Sequence, residues 1–165
     1  MGSQRGLGPP PQVLVAGQNR ASQGRAAAAL VRPGEVGAIA GSLAPWVRGG
    51  FAEAELVADW LRGLRYLHDS PRKDVWQSPL ATIARGGGDC EDLSIAALSV
   101  LLALGSRGAI LVGLMFSRSG PIGHAWLEGW DSAGWFHMEA TRSVVTRFGR
   151  PSAYIAYAVY GPSAG

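Results

Sequence analysis

The sequence predicts an α+β domain in which helices come first and an antiparallel sheet follows. Two stretches, residues 52–67 and 90–104, carry apolar residues at helical spacing. After Gly105 the pattern changes to apolar or alternating runs, separated by turn signals at residues 120–121 and 131–134. This order predicts N-terminal helices, one of them buried at the centre of the fold, packed on an antiparallel sheet.

The composition limits the classes to which the protein can belong. Its 165 residues suit one domain, and a hydrophobic fraction of 47% is enough for a core. The net charge of +3 is mild and scattered, so nucleic acid is not an expected partner. The single cysteine excludes an internal disulfide and a multi-cysteine zinc site. Neither a membrane-spanning run nor the apolar region of a signal peptide is found, so a cytoplasmic protein without a membrane partner is expected.

The first 45 residues differ in composition from the rest. They are rich in Gly, Pro, Ala, Gln and Arg, and the first aromatic residue is Trp46. This composition predicts a flexible arm over residues 1–45 and a folded domain over residues 46–165. A short helix over residues 25–31 is compatible with the pattern, and a docking tail is the functional alternative for the arm.

Three helices are predicted in the first part of the domain. Residues 52–67 form an amphipathic helix with a stripe of apolar side chains, and residues 80–85 form a short second helix after a loop. Residues 90–104 are apolar on nearly every side, which is typical of a buried central helix.

Four strands are predicted in the second part. Residues 109–116 form the first strand and residues 122–130 the second, in which His124, Trp126 and Glu128 share one face. Residues 135–140 return as the third strand of a meander, and residues 154–160 form the last strand.

The only cysteine, Cys90, lies at the start of the central helix. It follows a run of three glycines, and Asp89 is a suitable N-cap. The unbonded N–H groups and the positive end of the helix dipole favour a thiolate at this position. The alternative is a small apolar side chain that only fills space at a helix start.

A nucleophilic cysteine needs an imidazole base and a group that orients it. His124 lies near the start of its strand, and Glu139 on the next strand can reach a neighbouring ring across the hairpin. His137 shares a strand face with Glu139 and is not excluded as the base. The alternatives are a core histidine at 124, and at 139 a solvated glutamate or a partner of Arg142.

Four segments together resemble the transglutaminase-like superfamily, in particular its bacterial cysteine proteinases. Residues 76–79 (WQSP) and 86–93 (GGGDCEDL) resemble the cysteine motif. Residues 123–128 (GHAWLE) resemble the histidine strand, and residues 135–141 the strand that carries the acid. The resemblance covers roughly residues 50–145 and keeps the order Cys, His, acid.

The resemblance implies a papain-like fold with Cys90 as nucleophile, His124 as base and Glu139 as orienting acid. The family more often has Asp in the last role, and residues 140–141 (AT) depart from a common Pro-Thr ending. Since Glu is one methylene longer than Asp, the chemistry is the same and only the geometry differs.

Three further residues receive roles from the resemblance. Gln77 is a candidate oxyanion-hole side chain, with a loop residue that caps the next helix as the alternative. Trp76 and Trp126 are candidates for the walls of a substrate cleft, and for Trp126 simple packing is the alternative.

The function implied is a protease or peptidase that cleaves amides of proteins or peptides through a thioester. A transglutaminase-type acyltransferase is the first alternative, and a non-catalytic module in a larger, phage-type assembly is the second. No cofactor or metal site is predicted, and calcium is left as a possibility. Some proteinase relatives bind calcium through acidic residues beside the cysteine, but Asp89 and Glu91 alone are too few for six to eight oxygen ligands. The oligomeric state is left open.

Overall fold

The computed structural model describes residues 29–69 and 75–161. The α+β class predicted from the sequence is confirmed, because the described residues form four helices and a five-stranded antiparallel sheet. Most of the predicted arm, residues 1–28, and most of the predicted helix over residues 25–31 lie outside the described residues. In the described part of the chain, none of the helices has the length and apolar character needed to cross a membrane.

The folded part begins before the boundary expected at residue 46. A 3₁₀ turn spans Pro33–Val36, and helix α1 spans Gly37–Arg48. Val36 is 1% exposed in the main core, and the backbone N–H of Arg32 donates to Ser99 Oγ at 3.0 Å. Val36 is a small aliphatic residue, and Arg32 makes its contact through the backbone. The lack of aromatic residues before Trp46 therefore does not mark the start of the fold.

Helix α2, Glu53–Leu61, is shorter than the helix expected over residues 52–67. After it, strand β1, Arg65–Tyr66, pairs in parallel with strand β2, Gly87–Gly88. A side chain at Gly87 would place its Cβ 1.9 Å from the carbonyl oxygen of Arg65, so only glycine allows this approach. The tertiary pairing therefore overrides the apolar periodicity that extended the helix in the sequence.

Two helices flank strand β2. Helix α3, Pro79–Arg85, begins at the N-cap Ser78, whose hydroxyl accepts a hydrogen bond from the N–H of Ala81. Helix α4, Cys90–Ala103, begins at the N-cap Asp89 and is buried along nearly its whole length. Helix α4 is thus the central helix that the sequence predicts, and its first residue is the cysteine.

The sheet has the order β6-β5-β4-β3-β7 and all its pairs are antiparallel. Its inner face packs on helix α4, and its outer face carries a second apolar cluster that includes Leu111, Trp126 and Tyr154. The three-residue strand β6 was not predicted, since so short a run has no periodicity to detect. The strands are β3, Arg107–Ser117; β4, Gly120–Asp131; β5, Gly134–Glu139; β6, Val144–Thr146; and β7, Tyr154–Tyr160.

Candidate active site

Cys90 lies where the start of helix α4 meets strand β4. The glycine pair of strand β2 immediately precedes the N-cap, and the backbone N–H of Ala125 on strand β4 is near enough to the sulfur to lower its pKa. Cys90 is 8% exposed, as is His124, the residue before Ala125. The fold thus brings the cysteine motif beside the histidine strand.

The surroundings of Cys90 favour its protonated thiol form. Its Sγ donates to Glu91 Oε2 at 3.1 Å rather than to His124. Burial raises the pKa of the thiol well above its usual range, and the neighbouring Glu91 and Asp89 raise it further. The N–H of Ala125 lowers the pKa of the thiol, but by less than burial and the two carboxylates raise it. These effects oppose the thiolate that the helix start alone would favour.

His124 and Glu139 form a buried pair. His124 Nε2 lies 2.6 Å from Glu139 Oε2, and both side chains are nearly inaccessible to solvent. Glu139 follows the last residue pair between strands β4 and β5, Leu127–Met138, and reaches diagonally back to the ring. Because Nε2 faces the carboxylate, Nδ1 is the ring nitrogen that Glu139 leaves free.

Two further residues hold the Glu139 carboxylate. Thr141 donates to Oε1 from its backbone N–H at 3.2 Å and from its hydroxyl at 2.7 Å, and the Tyr154 hydroxyl donates to Oε2 at 2.8 Å. Burial alone would raise the pKa of Glu139, but the bond and charge of His124 and the bonds from Thr141 and Tyr154 lower it to about 2. Glu139 is therefore ionised at any pH near neutrality.

His137 belongs to a separate group on the same face of the sheet. Its Nδ1 lies 3.5 Å from Glu128 Oε1, too long for a strong hydrogen bond. Trp126 Nε1 donates to the same oxygen at 3.0 Å, and the Arg150 guanidinium binds both oxygens of Glu128. Burial would raise the pKa of Glu128, yet these bonds lower it to about 2. His137 faces Glu128, and of the two histidines only His124 is bonded to Glu139.

The structure places Gln77, Trp76 and Trp126, the residues expected at the oxyanion hole and the cleft, in three different surroundings. Gln77 donates to Asp92 from its backbone N–H at 2.7 Å and from its side-chain Nε2 at 2.6 Å, so its amide is directed at that carboxylate. Trp126 is fully buried on the outer face of the sheet, which contradicts the cleft role and agrees with the packing alternative. Trp76 is partly buried and packs against the main core.

Tyr66 also lies near the thiol, although its position in the sequence does not indicate this. Strand β1 places it beside helix α4, 44% exposed, and its ring packs edge-on against His68. Burial raises the pKa of Tyr66 to about 12, and the nearby Cys90 and Asp89 contribute. It is thus an exposed aromatic side chain near the thiol. Only the two-residue β1–β2 pairing brings it there, and that pairing leaves no signal in the sequence.

Carboxylates crowd together beside the cysteine. One oxygen each from Asp69, Asp89 and Asp92 lie within 4.8 Å of one another. Burial raises the pKa of Asp89 to about 8, with repulsion from Glu91 as the next cause. Burial also raises the pKa of Asp92 to about 6, with repulsion from Asp89. Carboxylate oxygens are the ligands that calcium prefers, so this cluster could hold a divalent cation.

The chain is similar to one known family and to several solved structures. The family model described as the transglutaminase-like superfamily matches residues 38–140. A cysteine-protease candidate from Cytophaga hutchinsonii is 22% identical, with a TM-score of 0.52 over 64% of this chain and 35% of that chain. Calcium-bound LapG from Legionella pneumophila is 21% identical, with a TM-score of 0.56 over 66% of this chain and 63% of that chain. EGTA-treated LapG is 21% identical, with a TM-score of 0.55 over 66% of this chain and 61% of that chain.

These structural likenesses show the fold. Their sequence identities are 22% and 21%, and the chain spans less than two thirds of either protein. No curated protein gives a significant match.

Proposed function

Because the chain belongs to the transglutaminase-like superfamily, we propose that it is a cysteine-dependent amide hydrolase, a protease or peptidase with a Cys90–His124–Glu139 triad. The observation that carries this proposal is the buried 2.6 Å bond between His124 and Glu139. Ala125, the residue after His124 on strand β4, lies beside the Cys90 sulfur. A carboxylate kept ionised against an imidazole, beside a thiol at a helix start, is the arrangement that covalent catalysis needs. The similarity to a cysteine-protease candidate supports the same class.

In the proposed reaction, His124 Nδ1 takes the thiol proton and the Cys90 sulfur attacks the carbonyl carbon of an amide. A C–S bond forms, and the oxyanion lies near the backbone N–H of Cys90, the first residue of helix α4. His124 then gives the proton to the leaving amine as the C–N bond breaks, which leaves a thioester. Water, deprotonated by His124, hydrolyses the thioester and restores the thiol.

Glu139 keeps the base in position through these steps. Its carboxylate accepts from Nε2, so the imidazole presents Nδ1 to the sulfur, and its charge stabilises the imidazolium that forms. If an amine replaced water as the acceptor, the same thioester would give a transglutaminase reaction.

We further propose that Asp69, Asp89 and Asp92 bind calcium. LapG is described in a calcium-bound and an EGTA-treated form, and in this chain the three carboxylates already lie within 4.8 Å of one another. The raised pKa values of Asp89 and Asp92 indicate that negative charge at these two residues lacks compensation. A bound cation would supply that compensation, and it would also offset the negative charge that holds the proton on Cys90.

We expect iodoacetamide to label Cys90 at pH 7, and the rate to fall at least about tenfold in His124→Ala because the imidazole no longer accepts the thiol proton. Mass spectrometry of the alkylated peptide measures the rate, and His68→Ala serves as the control for loss of a histidine elsewhere. Equal rates in His124→Ala and the wild type would contradict the Cys–His pair. Incorporation of a labelled amine into a glutamine-containing protein, without peptide cleavage, would favour acyl transfer over hydrolysis.

We expect 1 mM calcium to raise the melting temperature of the EGTA-treated protein by about 5 °C or more, since a ligand that binds only the folded state stabilises it. Asp89→Asn should abolish this shift while keeping an N-cap acceptor for helix α4. Asp59→Asn, at an exposed aspartate on helix α2, is the matched control and should respond like the wild type. A melting temperature that calcium does not change would contradict the calcium proposal and leave the triad untouched.

A further inference from the structure

Tyr154 lies outside the segment that defines the family, and yet it contacts the candidate site. It is on strand β7, and the family match ends at residue 140. Its side chain is on the outer face of the sheet, where it is 8% exposed. The hydroxyl donates at 2.8 Å to Glu139 Oε2, the same oxygen that His124 Nε2 approaches to 2.6 Å.

We propose that Tyr154 is a positioning residue, which orients the Glu139 carboxylate and through it the His124 ring. This inference rests on the proposed function. Thr141 binds one carboxylate oxygen and Tyr154 binds the other. With both oxygens bound, the carboxylate cannot rotate about its terminal torsion, and the direction in which Oε2 accepts from the imidazole is fixed. Without Tyr154, His124 would be the only partner of Oε2 among the described residues.

The direction of the Tyr154 hydroxyl bond follows from its second partner. Arg142 Nη2 lies 3.3 Å from the phenol oxygen. A guanidinium can only donate, so the phenol oxygen accepts from Arg142 and its own proton goes to Glu139. Burial and the charge of Glu139 raise the pKa of Tyr154 to about 12. The phenol therefore remains a neutral donor over the pH range in which a cysteine hydrolase works.

The ring of Tyr154 is held independently of its hydroxyl. Its centroid lies 4.6 Å from that of His137 and 5.1 Å from that of Trp126, both in edge-to-face contact. These aromatic contacts lie at the second cluster on the outer face. Arg150 lies over the Trp126 ring and is held there by its bond to Glu128. Since phenylalanine keeps the ring in this pocket, Tyr154→Phe removes the hydroxyl bond with little change in packing.

The strand also provides a matched control. Tyr160, on the same strand, is fully buried, and its hydroxyl has no hydrogen-bond partner within residues 29–69 and 75–161. Tyr160→Phe removes the same atom from a buried tyrosine that is not bonded to Glu139. Any effect of Tyr154→Phe that Tyr160→Phe lacks is then due to the carboxylate contact.

The test uses the full chain and two readouts. In histidine-labelled protein we expect a low-field NMR resonance from the Nε2–H of His124, assigned by its loss in His124→Ala. Tyr154→Phe should shift or broaden this resonance and slow iodoacetamide alkylation of Cys90 about fivefold to tenfold, because a misaligned imidazole accepts the thiol proton less well. Tyr160→Phe should change neither.

The outcomes separate the positioning role from the proposed function. A resonance and an alkylation rate that are unchanged in Tyr154→Phe would overturn the positioning role even if the protein cleaves peptides. Absence of the resonance from the wild type would overturn it as well. A resonance that responds to Tyr154→Phe, in a protein whose Cys90 is inert, would support the positioning role and refute the hydrolase.

Discussion

Cys90→Ser should reduce cleavage of a mixed peptide library by at least about 10³-fold, because an alcohol is a far weaker nucleophile than a thiol paired with an imidazole. Serine differs from cysteine in one atom, so helix α4 and its N-cap should stay in place. The time course of new peptide termini, followed by mass spectrometry, measures the loss. The library is a suitable probe because it presents many amide sequences at once.

The native serine at position 94 provides the control for this substitution. Ser94 lies one turn further along helix α4, and its buried hydroxyl has no hydrogen-bond partner within the described part of the chain. Ser94→Ala should therefore cleave the library at the wild-type rate. Cleavage that persists in Cys90→Ser would mean that the nucleophile is another residue.

At Cys90 the helix dipole acts against burial and against the neighbouring carboxylates. A helix dipole stabilises a nearby charge by about 0.3–1 kcal/mol, and by up to about 2 kcal/mol in partly buried geometries. A like charge about 4 Å away destabilises it by roughly 4 kcal/mol at an effective dielectric constant of 20. Burial, followed by the nearby Glu91, therefore outweighs the dipole and raises the pKa of the thiol. The sequence shows all these groups, but the balance between them depends on distances that only the fold determines.

The core of the site could be predicted from the sequence because its parts carry local signals. Cys90 follows a glycine run and an N-cap, and His124 lies in an alternating strand. Glu139 lies on the next strand across a short connection, which limits where its side chain can reach. The hairpin register that joins His124 and Glu139 follows from that connection.

The supporting residues could not be predicted, because long-range pairings bring them to the site. Asp69 reaches Asp89 only through the pairing of strands β1 and β2. Tyr154 reaches Glu139 only because strand β7 adds to the far side of strand β3. Trp126 shares a strand face with His124, as the alternation predicts, but the cover over that face decides that it is buried.

Glu139→Gln should lower the rate of peptide cleavage by about 10³–10⁴-fold, because it should change the tautomer of His124. Thr141 donates to one side-chain oxygen, so the glutamine would keep its carbonyl there and turn its NH₂ group toward the ring. That NH₂ donates, and His124 Nε2 must then accept. The ring proton would move to Nδ1, which can no longer take a proton from Cys90.

Glu139→Gln should also change how stability depends on pH. The pKa of Glu139 is about 2 in the folded protein against an ordinary value of 4.5. Since the folded value is depressed, the ionised group stabilises the protein above pH 4.5, on the order of 3 kcal/mol. This contribution is lost as pH falls from 4.5 through 2. The melting temperature of the wild type should therefore be well above that of Glu139→Gln at pH 6. The difference between the two melting temperatures should narrow as the pH approaches 2.

Thermal unfolding at a series of pH values distinguishes this effect from a general loss of packing. Asp59→Asn, at an exposed aspartate on helix α2, is the control and should leave a small gap in melting temperature at every pH. A gap for Glu139→Gln that stays constant from pH 6 to pH 2 would mean that the cost comes from packing alone. Because only an ionised Glu139 can hold the imidazole in the catalytic tautomer, the pH-dependent stability and the loss of cleavage report on the same carboxylate.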